Sequence, residues 1–396
     1  MLNQDMVREA TRLTRAGQLV EATALLQRML RGECDSGPAS RDAAPPARAR
    51  LEPPTIDAKV RVVEENERRP PPEAASARGA NRHAPLDGMR KFSGLGLRGP
   101  IGRAPPSTWD MVPHGTKFIE GTFSNAAGSR TYKLFIPSRS RGQQLPLVVM
   151  LHGCTQSPDD FAAGTRMNFL AEEQNCFVVY PEQPRGANQS KCWNWFRTGD
   201  QRRGGGEPSL IAGITRQIVR GYPIDPKRVY VAGLSAGGAA AAVMGATYAD
   251  LYAAVGIHSG LACGAASDLP SAFLAMRQGG ASGATGKGGS PVPTIVFHGD
   301  RDTTVHPSNG NWIFEQSANA ASWTTKVLRG RAPDGHAYTR TILIDGGGQG
   351  ISEHWNIHGA GHAWSGGNPA GSYTDPRGPD ATKQMLRFFL EHSLGG

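Results

Sequence analysis

The segment Gly233-Leu234-Ser235-Ala236-Gly237 follows the apolar run Val229–Ala232 and opens an alanine-rich stretch, Ala236–Tyr248. A serine set between a strand and a helix, with glycine two positions to either side, is placed for nucleophilic attack on a carbonyl carbon. The glycines leave room where a tight turn crowds backbones together. The helix start behind the serine offers unpaired N–H groups and the positive end of a dipole, both suited to a developing oxyanion. A serine that merely caps a helix in a glycine-rich turn is the plainer alternative; it does not require the strand that precedes it.

A serine hydroxyl needs a base, and the base needs an orienting acid. With a nucleophile in this context the chain order is serine, acid, histidine. Thr294–His298 reads as a late strand, and the following Gly299–Val305 carries two aspartates. Asp300 can cap the turn through its own side chain; Asp302 sits two residues deeper in the loop and is the favoured acid. Among His336, His354, His358, His362 and His392, the glycine-rich loop Gly359-Ala360-Gly361-His362-Ala363-Trp364 singles out His362. His354, His358 and His362 are spaced four apart, as metal ligands on a helix would be. Gly359 and Gly361 break such a helix and Trp355–Ile357 reads as extended, so no metal or other cofactor is expected. His354 and His358 are then structural, and His392 a surface residue near a helix end. An oxyanion hole needs two converging backbone donors. Ala236 N–H is one; the loop Leu151-His152-Gly153-Cys154-Thr155 offers Cys154 N–H as the other, with an ordinary strand-ending turn as the alternative. Trp193 and Trp195, in a glycine-rich neighbourhood, read as a partly exposed aromatic wall for substrate, with core packing as the alternative, and Trp364 stands beside His362.

These residues need a scaffold that brings them to one rim. Lys117–Ser124 and Thr131–Ile136 read as an opening antiparallel pair. Strand and helix signals then alternate: Leu147–Leu151, Phe161–Asn175, Cys176–Tyr180, Ser209–Gly221, Arg228–Gly233, Ala236–Tyr248, Ala253–His258, Leu269–Gln278 and Thr294–His298. Thr324–Leu328 and Tyr338–Ile344 follow as late edge strands, then a short strand His354–His358 and an amphipathic helix Ala381–His392. The pattern predicts an α/β fold, a mostly parallel central sheet flanked by helices. Functional residues of such sheets lie beyond the carboxyl ends of the strands.

The chain has 396 residues, 38% hydrophobic and 19% charged, with 29 Pro and a formal net charge of +9. Residues 1–32 form an amphipathic helical segment, with Leu13, Leu19, Val20, Leu25, Leu26, Met29 and Leu30 at helical spacing and Gly17 interrupting. Residues 33–108 hold 12 of the prolines and read as a disordered Pro/Arg-rich linker, with a transient helix around Ile56–Arg69. Residues 109–396 form the catalytic domain. No apolar run reaches the length of a membrane span. The positive charge is split between the linker half and the domain without interleaved aromatics, which speaks against nucleic acid as a partner. Five cysteines are too few for a disulfide scaffold, and the four in the domain allow three pairings. Met1–Asp5 lacks the features of a signal peptide, which favours a cytoplasmic compartment.

Leu151–Gln156, Tyr180-Pro181-Glu182-Gln183, Cys192-Trp193-Asn194-Trp195, Gly233–Gly237, His258-Ser259-Gly260, His298-Gly299 with Asp302, and Gly361–Trp364 occur together and in order. Over about residues 115–394 the chain resembles the poly(3-hydroxybutyrate) depolymerase family of α/β-hydrolase esterases, whose relatives include acetyl-xylan and feruloyl esterases. The resemblance implies Ser235, Asp302 and His362 as a catalytic triad, a Cys154–Cys192 disulfide and an extracellular setting. The implied substrate is an ester, a 3-hydroxyalkanoate oligomer or polymer, or an acylated polysaccharide. Neither a signal peptide nor a separate polymer-binding module is legible, which shifts the expectation towards oligomers, soluble esters or native intracellular polymer. The segment 1–32 is then a candidate for docking on a granule or protein. A non-catalytic granule or scaffold protein is the alternative from another class.

Overall fold

The computed structural model describes residues 61–64, 106–140, 142–280, 292–317 and 323–395. The amphipathic segment 1–32, its docking role and most of the stretch 33–108 lie outside the described residues. One short piece of that stretch departs from the helix expected around 56–69. Arg61–Glu64 (β1) is extended, and its backbone runs parallel to Lys326–Arg329.

After a single helical turn at Thr108–Met111 (α1), Lys117–Asn125 (β2) and Gly128–Ile136 (β3) pair antiparallel in full register. The elements that follow are Leu145–Leu151 (β4), Pro158–Thr165 (α2), Met167–Glu173 (α3), Phe177–Pro181 (β5), Gly206–Gly221 (α4), Ile224–Leu234 (β6), Ala236–Thr247 (α5) and Ala254–His258 (β7). Next come Leu269–Gln278 (α6), Thr294–Gly299 (β8), Ser308–Ser317 (α7), Thr324–Arg331 (β9), Ala337–Ile344 (β10), Gly350–Ile357 (β11), the short pair Trp364–Ser365 (β12) and Thr374–Asp375 (β13), and Ala381–Leu390 (α8). The main sheet runs β1-β9-β10-β11-β8-β7-β6-β4-β5-β3-β2. Its centre, from β11 across to β5, is parallel throughout. This is the mixed, mostly parallel sheet that the alternating sequence pattern predicts. Among the described residues, no helix is long and apolar enough to cross a membrane.

Every residue of β4 is buried, because helices cover both faces of the sheet. Alternation sends Leu147, Val149 and Leu151 to one side, where they join Ile211 and Ile214 of α4 and Ala240 and Met244 of α5. Val148 and Met150 go to the other, with Phe161 of α2, Met167 of α3 and Met385 and Phe389 of α8.

Three further elements differ from expectation for identifiable reasons. The single helix expected over Phe161–Asn175 is two, broken where Arg166 turns left-handed (φ 53°). From outside, Thr382 Oγ1 donates to Thr165 O at 2.7 Å; within the break, the Arg166 guanidinium lies 3.8 Å from the Phe169 ring centroid. The helix α7 is unforeseen, since Ser308-Asn309-Gly310-Asn311 has poor helix propensity. Gly310 is there for clearance: a Cβ would meet His298 Nδ1 at 2.9 Å and His354 Nε2 at 3.1 Å. The strand expected at His354–His358 begins earlier, at Gly350, because it pairs with β10 along its length.

Candidate active site

The strands β6, β7, β8 and β11 run parallel, so the loops leaving their carboxyl ends emerge at one rim. Ser235 occupies the turn between β6 and α5 with φ 57° and ψ −119°, a strained conformation for a residue with a side chain. Its N–H donates to His258 O at 2.9 Å, which ties the turn to the end of β7. The turn is as tight as the glycines suggest. A Cβ on Gly237 would fall 2.0 Å from Leu151 O, and one on Gly233 would fall 2.3 Å from Gly237 O. The end of β4 therefore lies directly against the serine turn.

The loop after β4 completes that contact. A Cβ on Gly153 would sit 3.7 Å from Ser235 Cβ. Gly153 N–H donates to Gln156 Oε1 at 2.9 Å, and Gln156 Nε2 donates to Asp160 Oδ2 and Ser372 O, so the loop is pinned at both ends. Among the described residues, the N–H groups of Cys154 and Ala236 have no acceptor in the chain. Cys154 is disulfide-bonded to Cys192, and Thr155 N–H donates to Ser190 O at 2.7 Å, so the same loop is stitched to the tryptophan-rich segment.

Beyond β8, His362 Nδ1 lies 2.7 Å from Asp302 Oδ2. Asp302 is buried, and its other oxygen accepts from Thr304 N–H at 2.9 Å and Val305 N–H at 2.8 Å. Burial opposes ionisation of this carboxyl, but the hydrogen bonds from His298, His362 and the backbone outweigh it and hold the group well below the usual carboxylate range. A carboxylate at that place fixes the Nδ1–H tautomer of His362 and leaves Nε2 free to act as a base. Asp300 has a different set of partners: it accepts from Gly359 N–H at 2.7 Å and contacts His358 Nδ1 at 3.0 Å. It indexes the loop that carries His362. The three histidines spaced four apart thus diverge, with His354 buried, His358 between Asp300 and Thr339, and His362 on Asp302.

Two supporting histidines carried no assigned role in the sequence reading. His258 accepts Ser365 N–H through Nε2 at 3.0 Å, while its own carbonyl holds Ser235 N–H. One residue thereby anchors both the serine turn and the chain just past His362. It lies stacked between Phe297 and Trp364, and burial together with nearby His298 and His362 pushes its pKa down to about 3, so it is neutral. His152 is likewise neutral: burial pushes it down to about 4. Its Nδ1–H donates to Gly153 O at 2.8 Å and its Nε2 accepts Gln183 N–H at 3.1 Å, which orients the loop carrying Cys154. Behind it lies a buried polar cluster. Glu207 accepts from Asn194 N–H at 2.7 Å and from the Gln183 side chain, and Arg130 Nε donates to Gln183 Oε1 at 3.0 Å. Lone polar residues of this kind leave no periodic trace in a sequence; only the motif words that contain them hint at a role.

The aromatic wall requires correction. Trp193 is fully buried and donates to His152 O at 3.1 Å; Trp195 is 6% exposed and packs in the core. Trp364 is 1% exposed, with Nε1 on Thr382 Oγ1 and its ring on His258 and Phe161. All three are wall-supporting core residues rather than an exposed face, because each indole N–H finds an internal acceptor or the ring fills space between layers. His392 is also corrected. It is buried, with Nδ1 on Phe388 O and Nε2 on Gly350 O.

The sheet and its flanking helices have the α/β-hydrolase fold. Among solved structures, the acetyl xylan esterase of Aspergillus awamori superposes with a TM-score of 0.54 at 21% identity, covering 69% of this chain and 99% of that one. Residues 130–333 match the family model described as esterase PHB depolymerase, and the chain belongs to that family of carboxylic ester hydrolases. It is 40% identical over 185 residues to the poly(3-hydroxyalkanoate) depolymerase C of Paucimonas lemoignei, a span of 44% of each chain. It is 33% identical over 243 residues to the feruloyl esterase B of Neurospora crassa, covering 56% of this chain and 80% of that one. A probable acetylxylan esterase A of Aspergillus clavatus is 31% identical over 41% of this chain and 58% of its own length. The chain thus spans about half the length of the depolymerase and acetylxylan esterase that it matches.

Proposed function

We propose that the chain hydrolyses carboxylic esters through an acyl-enzyme on Ser235, with His362 as base and Asp302 as its orienting carboxylate. The observation that carries this reading is the 2.7 Å contact between His362 Nδ1 and a buried Asp302, at the same rim as the strained Ser235 turn. His362 Nε2 takes the hydroxyl proton as Ser235 Oγ attacks the carbonyl carbon. Asp302 stabilises the imidazolium that forms. The Cys154 and Ala236 N–H groups receive the oxyanion. The imidazolium then protonates the departing alcohol, and water releases the acid by the same route.

The substrate class favoured here is a polyhydroxyalkanoate-type ester, since the depolymerase match stands at 40% identity against 33% for the feruloyl esterase. Acetylated xylan or feruloyl esters form the second reading, favoured by the feruloyl esterase match over most of that protein's length. The deciding experiment pairs the purified chain and its Ser235→Ala variant with a 3-hydroxybutyrate trimer, acetylated xylan and methyl ferulate. Turnover of the trimer above the other two is expected, with a loss of at least about 10⁴-fold in the variant. A variant that keeps its rate removes the nucleophile, and a preference for methyl ferulate moves the chain to the second reading. Labelling of Ser235 by a fluorophosphonate separates any of these from a non-catalytic scaffold.

A further inference from the structure

Helix α6 is built inside out. It buries only Ala272 and Ala275, while Leu269, Phe273 and Leu274 are 51%, 56% and 57% exposed. Large apolar side chains normally face the core of a surface helix; here two alanines and the partly buried Met276 do, and the other three large ones face solvent. Trp312 of α7, 39% exposed, extends the patch, since its indole lies beside Gly279 at the end of α6. The four leave roughly 450 Å² of apolar side chain in water, against about 800 Å² per partner in a stable dimer. A patch of that size suits reversible adsorption better than obligate pairing.

Position and chemistry narrow the occupant. The end of α6 is tied to the loop that carries Asp302: His306 N–H donates to Met276 O at 2.7 Å, and Asn309 Nδ2 donates to Ala275 O at 3.0 Å. The helix bearing the patch is therefore fixed to the loop that leaves β8. From Leu269 to Met276 the helix has no charged residue. Its one hydroxyl, Ser271 Oγ, is committed to the Asp268 cap. A polysaccharide would need more hydrogen-bonding side chains than Arg277 and Gln278 at the helix's end supply, and an anionic lipid surface would need a cluster of cations rather than Arg277 alone. A neutral, aliphatic polyester needs neither. Resting on the esterase reading above, we infer that the face formed by Leu269, Phe273, Leu274 and Trp312 adsorbs the chain to the surface of a solid polyhydroxyalkanoate and holds the Ser235 rim against it.

The test separates adsorption from hydrolysis. Protein carrying Ser235→Ala is mixed with poly(3-hydroxybutyrate) particles and the bound fraction measured by sedimentation, with and without Phe273→Gln, Leu274→Gln and Trp312→Gln together. The triple variant should bind at least ten-fold more weakly. The same three substitutions in the Ser235 background should leave turnover of a soluble p-nitrophenyl ester within two-fold, which reports an intact fold and site. Should that turnover fall, the single Leu274→Gln variant replaces the triple, with a several-fold loss of adsorption expected. Unchanged adsorption overturns the proposal. So does equal partition to phosphatidylcholine–phosphatidylglycerol vesicles, or a wild-type dimer that the variant dissociates while adsorption persists. If no soluble ester is turned over by the unmodified chain, the esterase reading falls, whereas a Gln-sensitive adsorption still supports the polyester face.

Discussion

Asp302 meets the imidazole of His362 while Asp300, two residues earlier, accepts the Gly359 N–H. Both are aspartates at a strand end, and their spacing in the chain does not tell them apart. Their surroundings do: the Asp302 side chain is fully buried, whereas that of Asp300 is 36% exposed. Asp302→Asn should leave Nδ1 of His362 without its anionic acceptor and lower kcat by about 10⁴-fold with little change in KM. Asp300→Asn retains an acceptor for Gly359 N–H and should stay within about ten-fold. Steady-state rates on a soluble ester check both, and a larger loss at position 300 would reverse the two roles. The turn at Ser235 and the loops bearing Asp302 and His362 were legible because glycines and strand ends frame them. His258 was not legible as an anchor, since its two contacts reach 23 residues back and 107 residues forward in the chain.

At the scale of elements, the loop after β4 depends on its cross-link. The Cys154–Cys192 bond closes a separation of 38 residues and is supported by the Thr155–Ser190 backbone bond. Opening it restores chain entropy to the unfolded state, a loss of about 4 kcal/mol in stability for a loop of that length. Denaturant unfolding with and without a thiol reductant measures this, and kcat should fall in parallel as the loop bearing Cys154 N–H loosens. The two remaining described cysteines do not compete for the bond: burial pushes Cys176 up to about 12 and Cys263 up to about 11, which keeps both as thiols. The strands and helices of the parallel centre were readable from continuous apolar runs and helical spacing. The break at Arg166 and the helix α7 were not; Thr382, which bonds Thr165 O, and His298 and His354, which lie against Gly310, are all distant in the chain.

For the whole molecule, three buried neutral imidazoles couple stability to pH. Burial is the largest cause in each case, lowering His152 to about 4 and His258 and His354 to about 3. In the unfolded chain these groups take up protons near pH 6.5, while the folded chain resists until far lower. Their contribution is therefore complete above pH 6.5 and is lost as pH falls towards their folded values. Between pH 6.5 and 5 each should cost about 2 kcal/mol of unfolding free energy. The depressed carboxyl of Asp302 keeps its contribution through that window and loses it only below about pH 4. Urea unfolding at pH 7 and pH 5 gives the slope, and His152→Gln should flatten it by about a third. A slope of zero would mean that these rings are not held neutral.

Local chemistry and periodicity determined the α/β class, the strands and helices of the parallel core and the candidate serine, acid and histidine. Those features depend on residues adjacent in the chain: glycines that open a turn, apolar runs that must be covered, alternation that sets a face. Tertiary structure alone decided that Trp193, Trp195 and Trp364 face inward, that Asp300 serves the backbone, and that α6 turns its large side chains to water. In each case the outcome depends on which distant atoms occupy the neighbouring space, and composition carries no record of that.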